Sequence, residues 1–310
     1  MGVTFKSIAV GFLGLIFSSN MLAQQEVSDT LAKSEVYLSE YLKNIARETS
    51  AQKRDSFSNL FNSLFQKVLS VNGSMDYSFD SLVHVGKLTS ENRKVRVYTW
   101  NIPQAGGYQN YYGYIQIRED NGEIKLFELK DGRRGIKDPT SQTLSCQNWM
   151  AALYYQIAGF SAGQQEYYVL LGFDFNNLFT SKKIIEVLSV DKDGSPTFGL
   201  PIFNVDGKML LSRVVFEFSA RAVVTLKYLP NEKVIVFDHL SPSRPEYAGE
   251  LEFYGPDSSF DGFRFEDGGW VYVRDLDLRN PRRPVPKSVS SPENIKEPDF
   301  IYKPLYGKPG

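Results

Sequence analysis

The sequence predicts a mainly β protein, an antiparallel meander arranged as a sandwich, a barrel or a propeller-like body, behind an N-terminal helical segment. Three observations predict it. From about Leu82 onward the residues follow a period of two, as in Arg213-Val214-Val215-Phe216-Glu217-Phe218, which places alternate side chains on opposite faces of a strand. Strand-sized runs are separated by short turn signals: Asp120-Asn121-Gly122, Asp191-Lys192-Asp193-Gly194, Asp206-Gly207, Pro230-Asn231 and Asp267-Gly268-Gly269. No strand–helix–strand rhythm appears, which argues against an open parallel sheet.

The elements follow in chain order. Lys6 and the apolar run Ile8 to Phe17 read as the basic and hydrophobic parts of a secretory leader over residues 1–24, cleaved after Ala23 or Gln24. The run of 10 residues is shorter than the roughly 20 that a membrane-crossing helix needs. No later segment is apolar enough, so no transmembrane segment is expected in the mature chain. Two helices are expected within residues 30–71. Leu31, Leu38, Tyr41, Leu42 and Ile45 mark the first. Phe57, Leu60, Phe61, Leu64, Phe65, Val68 and Leu69 mark the second as a wide apolar stripe that packs on the sheet and stops at Asn72-Gly73.

Strands are expected at 82–88, 94–102, 111–118, 123–129, 149–157, 166–173, 183–190 and 197–203. Further ones follow at 213–219, 223–228, 233–238, 250–254, 262–265 and 270–273. Together they form a single β-rich domain over residues 25–279. Seven of the fifteen prolines then fall in residues 280–310, which predicts an extended tail with Phe300-Ile301-Tyr302 as its one apolar anchor.

Composition narrows the function classes. Residues 25–279 carry 28 basic and 33 acidic side chains, so no concentrated basic face is expected and nucleic-acid binding is excluded. Cys146 is the only cysteine, so no intramolecular disulfide can form and stability must come from packing. The 22 Phe, 18 Tyr and 3 Trp fit strand cores and cross-strand pairs, with some available as a stacking surface for a sugar or peptide.

Catalytic candidates are few. Gly159-Phe160-Ser161-Ala162-Gly163 matches a nucleophile elbow, but the residues after it read as strand where that chemistry needs a helix. Cys146 is a catalytic candidate if a histidine, His84 or His239, serves as its base; His239 and Asp261 complete the weak catalytic set. Asp174, Asp257 and Asp261 are candidates for binding a glycan, or for hydrolysing it as a carboxylate pair, with Trp270 as a nearby aromatic. Two separated histidines cannot make a zinc site, and Asp191 to Gly194 lacks the ligands of a calcium loop. No metal and no cofactor is expected.

Several segments carry a resemblance: Tyr77 to Leu82, Arg96 to Asn101, Tyr168 to Asp174 with Asn176 to Leu178, and Phe216 to Ala220. Val236 to Leu240, Tyr254 to Asp257 and Phe260 to Gly262 complete the set. Together they resemble a group of exported proteins of Gram-negative bacteria that carries no assigned activity. The resemblance implies export and one β-rich unit from Tyr77 to Asp277; it implies no catalytic residue. The expectation is a periplasmic or secreted envelope protein that binds an envelope protein or glycan without catalysis. The alternative is a hydrolase of an envelope glycan or peptide.

Overall fold

The computed structural model describes residues 7–277 except residue 208, with side chains from residue 25 onward. The expected tail 280–310, with Phe300 to Tyr302, lies outside the described residues, as do the side chains of the expected leader.

Two helices open the chain, α1 (Ser7–Arg47) and α2 (Ala51–Leu69). Among the described residues no helix is long and apolar enough to cross a membrane. Helix α2 stops at Leu69, before the expected Asn72-Gly73, with Ser70 as its C-cap; Gly73, left-handed at φ 87°, instead opens the 3-10 turn Ser74–Asp76. Glu35 on α1 accepts hydrogen bonds from Ser81 N (2.5 Å) and the Tyr77 hydroxyl (2.7 Å), which ties α1 to the body.

Among the described residues sixteen strands form three sheets. The first is a meander: β1 (Gly86–Thr89), β2 (Val95–Pro103), β3 (Gln109–Arg118) and β4 (Ile124–Leu129). The central sheet is built from β5 (Leu144–Ser145), β6 (Leu153–Ala162), β7 (Gln165–Asp174), β8 (Thr180–Val190) and β9 (Pro196–Phe198), in the order β5-β9-β8-β7-β6. The next strands are β10 (Phe203–Asn204), β11 (Leu210–Leu211) and β12 (Val214–Ser219); β12 returns to pair with β8. The third sheet joins β10 and β11 to β13 (Leu226–Leu229), β14 (Val234–Pro242), β15 (Tyr254–Glu266) and β16 (Gly269–Val273). Among the described residues every pair of these strands is antiparallel except β10–β16, which is parallel.

The layers run helices, first sheet, central sheet, third sheet. On β2 and β3, Tyr98, Trp100 and Tyr114 face the helices and meet Phe61 and Phe65. Val95, Val97, Ile115 and Ile117 face the other way, onto Tyr168, Leu170, Ile184 and Leu188 of β7 and β8. The alternate residues of those two strands, Tyr167, Val169, Leu171, Ile185 and Val187, face Ile235, Phe237 and Phe263 of the third sheet. Strands β7 and β8 are therefore covered on both faces. Tyr167 to Leu171 form a continuous apolar run because both faces of β7 are covered.

The sheets are pinned together through β6. Thr99 Oγ1 accepts from Tyr154 N (3.1 Å), joining the first sheet to the central one. Gln156 brackets one residue on the free edge of β13, accepting from Tyr228 N (2.9 Å) and donating to Tyr228 O (3.1 Å). Between layers, Glu186 and Arg213 form a fully buried ion pair (2.6 Å).

Six expected strands need correction, two of which simply begin late: the run 149–157 at Leu153 and the run 223–228 at Leu226. The strand at 82–88 starts only at Gly86, since turns occupy the preceding residues and leave His84 exposed. The run 197–203 is two short strands, β9 and β10, separated by Gly199 at φ 93°. Residues Leu251–Phe253 form a 3-10 turn instead of a strand, and the strand expected at 262–265 is the far end of the longer β15.

Candidate functional site

One end of β2, β3, β7 and β8 carries a cavity of about 800 Å³. Its rim comes from the β2–β3 turn, where Gly106 and Gly107 adopt φ 74° and 80° and bring Tyr108 to the opening. Its floor comes from the segment after β4, Asp131-Gly132-Arg133-Arg134. Gly132 lies against the Asn148 backbone, where a Cβ would stand 2.6 Å from Asn148 Cα.

Arg133 organises this floor. Its Nη1 donates to Asp174 Oδ1 (2.8 Å), its Nη2 to Asp131 Oδ2 (2.7 Å) and Gln109 O (3.0 Å), and its Nε to Asp131 Oδ1 (3.0 Å). The guanidinium lies 4.4 Å over the Tyr111 ring. Burial works against the charge on Arg133, but the Asp131 and Asp174 carboxylates outweigh it and raise its pKa. Asp174 is buried and also accepts from Asn176 N (2.8 Å). The Tyr111 hydroxyl accepts from Phe175 N (2.8 Å); burial, then the Asp174 charge, push its pKa far above the usual phenol value. Around this fixed floor, Tyr108, Asn110 and Arg134 line the cavity with polar groups that make no side-chain bond among the described residues.

The other sequence candidates lie elsewhere. His239 lies on β14 between Asp238 and Leu240, at a bulge where β15 sets residues 257–259 against it. Its Nδ1 sits 2.7 Å from Asp261 Oδ2. The same oxygen accepts from the Tyr272 hydroxyl (2.6 Å), and Asp261 Oδ1 accepts from Asp275 N (3.0 Å). Burial raises the Asp261 pKa, but Tyr272, His239 and the Asp275 amide outweigh it and hold it below the ordinary carboxylate value. A buried carboxylate orienting an imidazole is the base half of a nucleophilic site. Among the described residues no hydroxyl or thiol bonds to that imidazole. Asp257 Oδ1 accepts from Ser259 N (3.0 Å) and Ser259 Oγ (2.7 Å), which lowers its pKa.

Three expectations about these residues are corrected. Asp174, Asp257 and Asp261 do not share a cleft: Asp174 ends β7 in the central sheet, whereas neither Asp257 nor Asp261, both on β15, lines its cavity. Cys146 is buried at the start of a three-residue 3-10 turn, its Sγ 3.8 Å from Pro196 O and bonded to neither histidine. Burial pushes its thiol up to about 12, so no thiolate is at hand. Trp270 is fully buried against Phe160 (4.8 Å, edge-on) and Phe265 (5.3 Å), and offers no face to a sugar.

Ser161 lies within β6, and Gly163 turns the chain into β7, so the motif is part of a hairpin and not a nucleophile elbow. Asp191 to Gly194 turns β8 into β9. Sequence reasoning passed over Arg133, Tyr111 and Tyr108. The signal for the first was a charged run set between glycines, Gly132 and Gly135, with no alternation.

No family model, no curated protein and no solved structure matches the chain.

Proposed function

We propose that the chain is an exported, non-enzymatic binding protein of the bacterial envelope, and that the cavity beside Asp174 takes a polyhydroxylated ligand, a segment of an envelope glycan. The leader-like residues 1–24 and the resemblance to exported proteins support the location. What carries the binding reading is the contrast within the cavity: a floor locked by Arg133, and a wall of Tyr108, Asn110 and Arg134 left uncommitted. Fixed walls with open donors and one exposed aromatic suit sugar hydroxyls and the apolar face of a pyranose, because little ordering is left to the binding step.

The same geometry argues against hydrolysis at this place. Cleavage needs one carboxyl as acid and a second as base or nucleophile. Asp131 and Asp174 are both engaged by a single guanidinium, so neither is free to exchange a proton with a substrate.

The test is calorimetric titration of the purified protein with neutral, amino-sugar and acidic oligosaccharides. One class should saturate, and Tyr108→Ala with Arg134→Ala should weaken it at least about tenfold, ~1.4 kcal/mol. Both positions are exposed, so folding should be unaffected. If no oligosaccharide saturates, or if the double variant binds as tightly as the parent, the reading fails.

A further inference from the structure

A second cavity, of about 430 Å³, lies between the helices and the first sheet. Leu42 and Ile45 of α1, Arg54 of α2, His84, and Trp100 and Ile102 of β2 form its walls. Four of the seven buried polar side-chain atoms that lack a hydrogen-bond partner among the described residues gather along this seam. Two belong to wall residues, Trp100 Nε1 and Arg54 Nε. The others, Ser58 Oγ and Asn62 Oδ1, lie one and two turns further along α2. Leaving a buried polar group unpaired costs about 1–3 kcal/mol, so two such donors on the wall residues of one cavity need a reason.

We propose that this cavity binds an amphipathic monocarboxylate, its apolar chain against Leu42, Ile45 and Ile102 and its carboxylate at Arg54 and Trp100. The two wall atoms without a partner are both N–H donors, so the ligand must bring an acceptor. Arg54 has no carboxylate partner among the described residues. The one acid on the wall, Glu48, already accepts from Ser50 N (2.9 Å) at the start of α2. Asn101, also on the wall, spends its amide donor on Gln109 Oε1 (2.8 Å). A carboxylate is the head group that meets two open donors, one of them cationic, and the rest of the lining is mostly apolar. The volume falls within the roughly 300–1,000 Å³ of small-molecule sites.

This site is separate from the Asp174 cavity, and its test is independent of it. The full chain is titrated with sodium decanoate below its micelle concentration, beside decan-1-ol and decyltrimethylammonium, which carry the same tail on a neutral and a cationic head. Decanoate should saturate with one-to-one stoichiometry and bind at least about tenfold tighter than either control. Arg54→Gln should erase that preference, Ala46→Trp should fill the cavity and abolish binding, and Tyr108→Ala should change neither. Absence of saturable decanoate binding, equal binding of the three amphiphiles, or parent-like preference in Arg54→Gln would each overturn the proposal. Arg54 is only partly buried and Ala46 is exposed, so both variants should fold.

Discussion

Asp261 gathers three donors on one buried carboxylate, from Tyr272, His239 and the Asp275 backbone. Its folded pKa therefore lies below 3.8, while in the unfolded chain it returns to the ordinary value. A depressed carboxylate adds stability that is fully present above the unfolded pKa and is lost as pH falls through the folded one. Asp261→Asn should cost about 2 kcal/mol at pH 7, the scale of hydrogen bonds to a charged group. The gap between variant and parent should close on acidification below about pH 3.8. Urea melts at several pH values read this directly, and a gap that is constant with pH would refute it. Both partners were singled out from sequence, yet their pairing was not legible there. They stand on different strands, and only the β14–β15 register, with the bulge of β15 at residues 257–259 opposite His239, brings the two side chains together.

Within the elements, α2 shows how far periodicity reaches. Phe61, Phe65, Val68 and Leu69 are buried as the stripe requires, but Leu60 at its margin stays 49 % exposed. Periodicity locates the centre of a face; the partner surface sets its width. Phe65 is the hub, with rings of Phe61, Phe79, Tyr98, Trp100 and Tyr114 within 6.0 Å. Phe65→Ala should cost about 3–5 kcal/mol, through lost transfer energy and a cavity that the first sheet cannot collapse to fill. The midpoint of denaturant unfolding should fall accordingly, and a loss under 1 kcal/mol would mean the helices are not an integral layer. All five turn signals join strands, because glycine and Asx chemistry act within a few residues. The strand expected at 250–254 failed because Leu251-Glu252-Phe253 alternates correctly for a strand while its backbone closes a local turn, Phe253 N donating to Glu250 O (3.0 Å).

Across the whole molecule, β7 and β8 are covered on both faces and lie deepest in the stack of layers. Their amides should exchange with solvent only through global unfolding, whereas those of edge strands β1 and β11 should exchange through local opening. Hydrogen exchange by mass spectrometry tests this ordering; equal protection of β1 and β8 would contradict the layered arrangement. Glu186 belongs to the same logic. On a sheet with one wet face it would point to water, but here it is buried, and Arg213 supplies its countercharge. Desolvation raises the Glu186 pKa, and Arg213 pulls against that rise.

From the sequence alone followed what depends on neighbours along the chain: β content, antiparallel hairpins, two apolar helices, and the turns that join them. Side-chain alternation, turn glycines and helical stripes act over a few residues, so they can be read one segment at a time. Tertiary structure decided the stacking of three sheets, the second covered face of β7 and β8, and the meeting of Arg133 with Asp174 across 41 positions. Those outcomes depend on which surfaces find each other in space, and strands of like alternation satisfy many such pairings until packing selects one.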